Sequence, residues 1–136
     1  MADLVVDTDV VSFGFRQDAR FLNAYGPAIQ GHRLVISFMT VAELQFGALN
    51  RGWGVSRREE LQHYLERHYV RYFATESMCN VWAELICKCK EQGRVLNSAD
   101  AWIAATAVVL SIPLVTHNAK DFRHVPGLKL ITVEDQ

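Results

Sequence analysis

The chain is predicted to form an α/β layer fold around a mostly parallel sheet. Short apolar runs at Leu4–Val6, Leu34–Ser37, Leu114–Thr116 and Leu130–Thr132 are separated by stretches with helical spacing. That alternation of strand and helix patterns is the signature of a parallel sheet with crossover helices. At 136 residues, half of them hydrophobic, the chain has the size and composition of one globular domain, expected to span residues 1–136.

Leu4–Val6 reads as a buried strand ending at Asp7. From about Val10 to Gln30 the pattern is mixed and suggests helical pieces, with Phe13, Phe21, Leu22 and Tyr25 as core candidates and a stop near Gly26-Pro27 or Gly31. Leu34–Ser37 is the second strand. A helix from about Thr40 to Asn50 follows and is broken by Gly52 and Gly54. Ser56 is a candidate cap for the next helix, whose apolar stripe is Leu61, Tyr64, Leu65, His68, Tyr69 and Tyr72. Val70–Phe73 can form a short strand. Met78, Val81, Trp82, Leu85, Ile86 and Cys89 give the clearest helical stripe, with Gly93 as its stop. Ser98 is a candidate cap for a helix through Ala101–Leu110, closed by Pro113. After the Leu114–Thr116 strand, Asn118 opens a short helix before the last strand.

The net charge of −1 gives no general basic surface for a polyanion. The opening residues lack the pattern of a signal peptide, and no run reaches 18 apolar residues, so no membrane span is expected. Cys79, Cys87 and Cys89 are odd in number and clustered, which fits free thiols in a reducing cytoplasm better than a disulfide framework. Cys87-x-Cys89 is too short a pattern to argue for zinc by itself.

Four carboxylates stand out: Asp7 after the first strand, Glu43 and Asp100 near helix starts, and Asp121 beyond the last-but-one strand. Each has a structural explanation. Asp7 is a good cap residue. Thr40-x-x-Glu43 matches a capping box. Asp100 suits the positive end of a helix, and Asp121 follows Asn118 at cap spacing. Two observations favour a site. Glu43 shares a face with Gly47, where a glycine inside a helix suggests close approach by another group. Asp100 starts the apolar face of Ile103, Ala104 and Ala107. Strand ends and helix starts share one edge of a parallel sheet, where ligands bind. Two like charges about 4 Å apart repel by roughly 4 kcal/mol at an effective dielectric of 20. A divalent cation, Mg²⁺ or Mn²⁺, would offset that repulsion with oxygen ligands.

Taken in order, VVDTDVV, SFMTVAELQFGA, SADAWIAATAVVLSIPLVTHNAKDF and GLKLIT resemble the PIN domain, and within it the VapC-type toxins of toxin–antitoxin pairs. The resemblance covers nearly the whole chain, and from about Gly52 to Glu91 it lies only in helical character. It implies a three-layer α/β/α sandwich and a metal-dependent ribonuclease inhibited by a cognate antitoxin. It also implies a homodimer, or a heterotetramer or larger complex with the antitoxin. The family's acids fall on Asp7, Glu43, Asp100 and Asp121, and its polar pair on Thr116 and Asn118. On this resemblance Asp7, Asp100 and Asp121 would hold the metal, and Glu43 would bind a second ion or position water. Thr116 and Asn118 would orient waters or a carboxylate.

Arg51, Arg57 and Arg58, with Trp53 between them, could take RNA phosphates and stack a base, or could simply form a solvated helix start. Grooves between the early helices would suit an amphipathic antitoxin helix, and an acidic pocket would accept its arginine. Two alternatives remain. VVDTDVV also resembles the opening of haloacid-dehalogenase-like phosphatases, with Asp7 as nucleophile and Asp9 as acid/base, although the chain is short and lacks a lysine motif. A non-catalytic PIN scaffold that binds RNA or protein is the other.

Overall fold

The computed structural model describes residues 3–19 and 21–133; residue 20, inside the predicted Val10–Gln30 stretch, lies outside them. Five strands form one sheet: β1 (Leu4–Val6), β2 (Leu34–Ser37), β3 (Val70–Tyr72), β4 (Leu114–Val115) and β5 (Leu130–Ile131). The order is β3-β2-β1-β4-β5, and every pairing is parallel. The chain runs outward from β1 to β3, then returns to the other side of β1. A crevice therefore opens beyond the carboxyl ends of β1 and β4, where the strand order reverses.

Helices cover both faces. Leu4, Val6, Ile36 and Val115 pack with α1 (Thr8–Phe15), α3 (Phe38–Asn50) and α4 (Val55–His68). The intervening Val5, Val35 and Leu114 pack on the opposite side with α5 (Glu76–Glu91) and α6 (Ser98–Leu110). The period of two along each strand thus sorts side chains into two cores, giving the predicted α/β/α sandwich. A π-helical turn (Phe21–Tyr25) and α2 (Gly26–Ile29) complete the first core, with Tyr25 fully buried. Leu22, a predicted core residue, is 61% exposed: it sits on the outer side of that turn.

The caps differ from expectation. Ser37, not Thr40, caps α3 by accepting a bond from the Met39 amide at 3.1 Å. Thr40 is buried inside the helix, so the Thr40–Glu43 capping box does not form. Gly54 precedes α4 without a side-chain cap, which leaves Ser56 in the first turn. Asn97 rather than Ser98 caps α6. Met78, Leu85 and Cys89 of the predicted α5 stripe are buried, and α5 stops before Gly93, whose φ of 72° suits glycine. Cys79 and Cys87 are exposed and all three thiols are free. No helix among the described residues is long and apolar enough to cross a membrane.

Candidate active site

The four predicted acids meet in one cavity of about 370 Å³ beyond the carboxyl edge of the sheet. Asp7 reaches it directly from the end of β1. Glu43 comes from α3, whose start follows β2. Asp100 is in the first turn of α6, which runs back toward β4. Asp121 ends a 3₁₀ turn (Ala119–Asp121) after β4. A fifth acid, Asp9, lines the same space from the first turn of α1.

Asp7 is only 6% exposed. One carboxylate oxygen accepts the Thr8 amide at 2.8 Å, and the other accepts the Thr116 hydroxyl at 2.7 Å. Thr116 in turn accepts the Asn118 amide at 3.0 Å. The Asn118 side-chain amide donates to Asp9 at 2.8 Å, and the Val10 amide donates to the other Asp9 oxygen at 2.7 Å. The Thr116–Asn118 pair therefore holds two of the acids at once. Glu43 accepts the Thr8 hydroxyl at 2.6 Å. That oxygen also lies 2.9 Å from the Thr40 hydroxyl. With its one proton committed to Glu43, Thr8 accepts from Thr40. Asn97 grips Asp100 from both ends, accepting its amide at 2.8 Å and donating to its carboxylate at 2.9 Å.

The acids repel one another. Burial, the Asp9 charge and, to a smaller degree, Asp100 push the Asp7 carboxyl up to about 7, against the hydrogen bonds from Thr116 and Thr8. Burial also raises Asp9. Asp100 is pushed up to about 6 by burial, then by Asp121, Glu43 and Asp9. Arg16 and Arg51 stand on the cavity wall. Neither forms a salt bridge with an acid among the described residues. An all-oxygen donor set with uncompensated charge fits Mg²⁺ or Mn²⁺. Among the described residues, no three Asp, Glu, His or Cys side chains crowd closely enough to enclose an ion by themselves. The fit is therefore to an ion that keeps several waters, as Mg²⁺ does.

The three arginines diverge. Arg51 faces the acid cavity. Arg57 lies 4.8 Å from both the Phe15 and Trp53 ring centroids and 3.5 Å from Glu60. Arg58 lines a separate depression with Leu49 and Leu61, its buried Nε without a hydrogen-bond partner. Gly47 was expected to admit a close neighbour. A methyl there would meet only Arg51 Nη1 at 3.8 Å, so the residue instead widens the cavity wall. Asp9 and Asn97 escaped the sequence reading of the acidic site. Asp9 had a signal in the D-x-D spacing, and Asn97 had one in its cap position three residues before Asp100.

A parallel α/β sandwich with a carboxylate-lined cavity at its strand-order reversal defines the class. The PIN domain model matches residues 4–128, and the chain belongs to that family, in its VapC-type branch. It is 31% identical over 135 residues to the VapC ribonuclease Y4jK of Sinorhizobium fredii, covering 94% of this chain and 95% of that protein. It is 29% identical over 126 residues to ribonuclease VapC1 of Haemophilus influenzae strain R2866, covering 92% and 93% respectively. Among solved structures, VapBC2 from Rickettsia felis bound to a DNA fragment from their promoter superposes with a TM-score of 0.85 at 21% identity, covering 98% of this chain and 100% of that one. VapBC-1 from nontypeable Haemophilus influenzae gives 0.75 at 25% identity, covering 97% and 98%. Membership in this family displaces the haloacid-dehalogenase alternative.

Proposed function

We propose that the chain is a cytoplasmic ribonuclease toxin that hydrolyses RNA phosphodiester bonds at the acidic cavity with Mg²⁺ or Mn²⁺ and is silenced by a cognate antitoxin. The observation that carries this reading is the meeting of Asp7, Glu43, Asp100 and Asp121 in one cavity. The ribonuclease names of its relatives support the choice of substrate.

Asp7, Asp100 and Asp121 would hold the metal. When bound, it lowers the pKa of water and stabilises charge on the leaving oxygen. Asp7 is fixed for this role by Thr8 and Thr116, and Asp100 by Asn97. Glu43, anchored through Thr8, orients the attacking water. Arg51 offers positive charge to the phosphate from the cavity wall. Phe13 and Phe15 line an apolar side of the same space.

The antitoxin reading draws on exposed Phe46 and Leu49 late in α3 and Val55 at the start of α4, an apolar surface suited to an amphipathic helix. We read the toxin as a homodimer, joined by antitoxin into a heterotetramer or larger complex.

Two experiments test the activity. Ends of cellular RNAs are sequenced after brief induction, and purified protein is assayed on the RNAs so found. Asp100→Asn abolishes cleavage while the circular-dichroism spectrum and melting temperature remain those of a folded protein. EDTA stops turnover, and Mg²⁺ or Mn²⁺ restores it. Full cleavage by Asp100→Asn, or turnover in EDTA, overturns the mechanism. RNA binding without cleavage under every divalent metal favours the non-catalytic scaffold.

A further inference from the structure

Beside the acid cavity lies a second depression of about 350 Å³ that uses Asp100 and Asp121 as part of its own wall. It is also lined by basic side chains: Arg94 from the loop between α5 and α6, Lys120 from the 3₁₀ turn, and His124 just beyond that turn. Arg94 and Lys120 are exposed, and neither forms a salt bridge among the described residues. His124 is half-buried, and its Nε2 is enclosed without a hydrogen-bond partner. Val95, on the same loop, is 90% exposed at the rim.

The two shared acids place the depressions side by side. A strand lying across Asp100 and Asp121 passes from the acid cavity into this depression, which shares both acids with it. Carboxylates alone repel a phosphate strand, so it needs cations beside them. Arg94 and Lys120 supply these in a chain whose net charge is −1. Val95, an exposed apolar side chain at the rim, can meet a base face.

We propose that Arg94 and Lys120 form a phosphate subsite that holds the single-stranded RNA beside the bond being cut. The proposal rests on the ribonuclease reading for its substrate. It differs from the expectation placed on Arg57 and Arg58, neither of which lines this second depression. Both cations act by gripping substrate, not by chemistry.

The test is equilibrium binding of a fluorescein-labelled single-stranded RNA to the protein in EDTA across a salt series. Each phosphate contact to a single strand contributes about 0.7 to the slope of log affinity against log salt. The Arg94→Ala/Lys120→Ala double variant loses about 1.4 of that slope, and Lys120→Glu weakens binding more than Lys120→Ala. Arg33→Ala, at the opposite end of the sheet in an exposed pair with Asp3, leaves the slope unchanged. With Mg²⁺ present, the double variant raises KM about tenfold with kcat unchanged, the signature of lost uniform binding. Its Mg²⁺-induced thermal shift matches that of the unaltered protein, which shows the acids intact.

A wild-type slope in the double variant overturns the subsite. So does a wild-type RNA slope combined with loss of antitoxin binding, which would make this a protein contact. If the unaltered protein binds RNA but never cuts it, the ribonuclease reading fails, and the slope still decides the subsite. If it binds no RNA, both fall.

Discussion

Asp7 has each carboxylate oxygen committed to a donor, yet burial and its neighbours still push it up to about 7. Two hydrogen bonds do not offset desolvation plus the Asp9 charge. This fixes the sign of a pH effect. The unfolded value is 3.8, so between about pH 4 and 7 the folded, metal-free protein keeps a proton that the unfolded chain releases. Stability is fully present below the lower value and declines as pH rises through the upper one. Asp100, pushed up to about 6, steepens the decline in the lower part of that window. At about 1.36 kcal/mol per unit, Asp7 alone accounts for a loss on the order of 4 kcal/mol. In EDTA, Asp7→Asn should therefore be more stable than the unaltered protein above pH 7, and the difference should vanish near pH 4. Urea unfolding across that range measures it, and a pH-independent difference would contradict the account. At this scale the sequence was legible where a carboxylate followed a strand, as at Asp7. It was less so at Asp9, because a first-turn helix acid has an ordinary electrostatic excuse and nothing local tells which way it faces.

The helices show why capping patterns deceive. Thr40-x-x-Glu43 has the spacing of a capping box, but β2 ends at Ser37 and α3 begins at once. The strand-to-helix junction, not the pattern, decides the cap, and Thr40 and Glu43 are left to bind Thr8 across the interface with α1. At α6 the cap lies one residue earlier than expected, which gives Asn97 a double hold on Asp100. Asn97→Ala should cost about 1 kcal/mol through the lost cap. It should also weaken Mg²⁺ binding, because the free carboxylate loses its fixed rotamer; isothermal titration and thermal melts read the two effects separately. Gly47 gives the opposite case. An alanine methyl would meet no atom nearer than Arg51 Nη1 at 3.8 Å. Gly47→Ala should therefore stabilise α3 by about 0.5–1 kcal/mol, measured as a higher urea midpoint. A destabilised variant would show that the glycine has a packing role after all. Strand positions were read almost to the residue, since β1 is a short apolar run between Asp3 and Asp7 and β2 is an apolar run that starts after Arg33 and closes at Ser37. The β4 assignment ran one residue long because Thr116 still donates its amide to Ile131 at 3.0 Å while its hydroxyl turns to Asp7.

Across the whole molecule, the strand order converts a sequence pattern into a site. Because β4 returns to the side of β1 opposite β2, Asp7 and Thr116 stand on adjacent strand ends although 109 residues separate them. Helices α3 and α6 then bring Glu43 and Asp100 to the same edge. No local motif encodes this convergence; only the alternation of elements and the parallel rule allowed it to be anticipated, and the positions of Arg94 and Lys120 relative to Asp100 were not legible at all. Gathering five acids at one edge makes the sheet's carboxyl end a point of strain in the metal-free protein, and that strain should be released by a divalent ion. A ligand that binds only the folded state stabilises it by about 2.7 kcal/mol at a hundred times its Kd. Mg²⁺ or Mn²⁺ should accordingly raise the melting temperature by several degrees at pH 7.5, and the increment should shrink toward pH 5, where Asp7 and Asp100 hold protons that compete with the ion. Asp7→Asn should abolish most of the increment while starting from a higher metal-free value. Equal shifts at both pH values, or an undiminished shift in Asp7→Asn, would mean that the ion binds elsewhere.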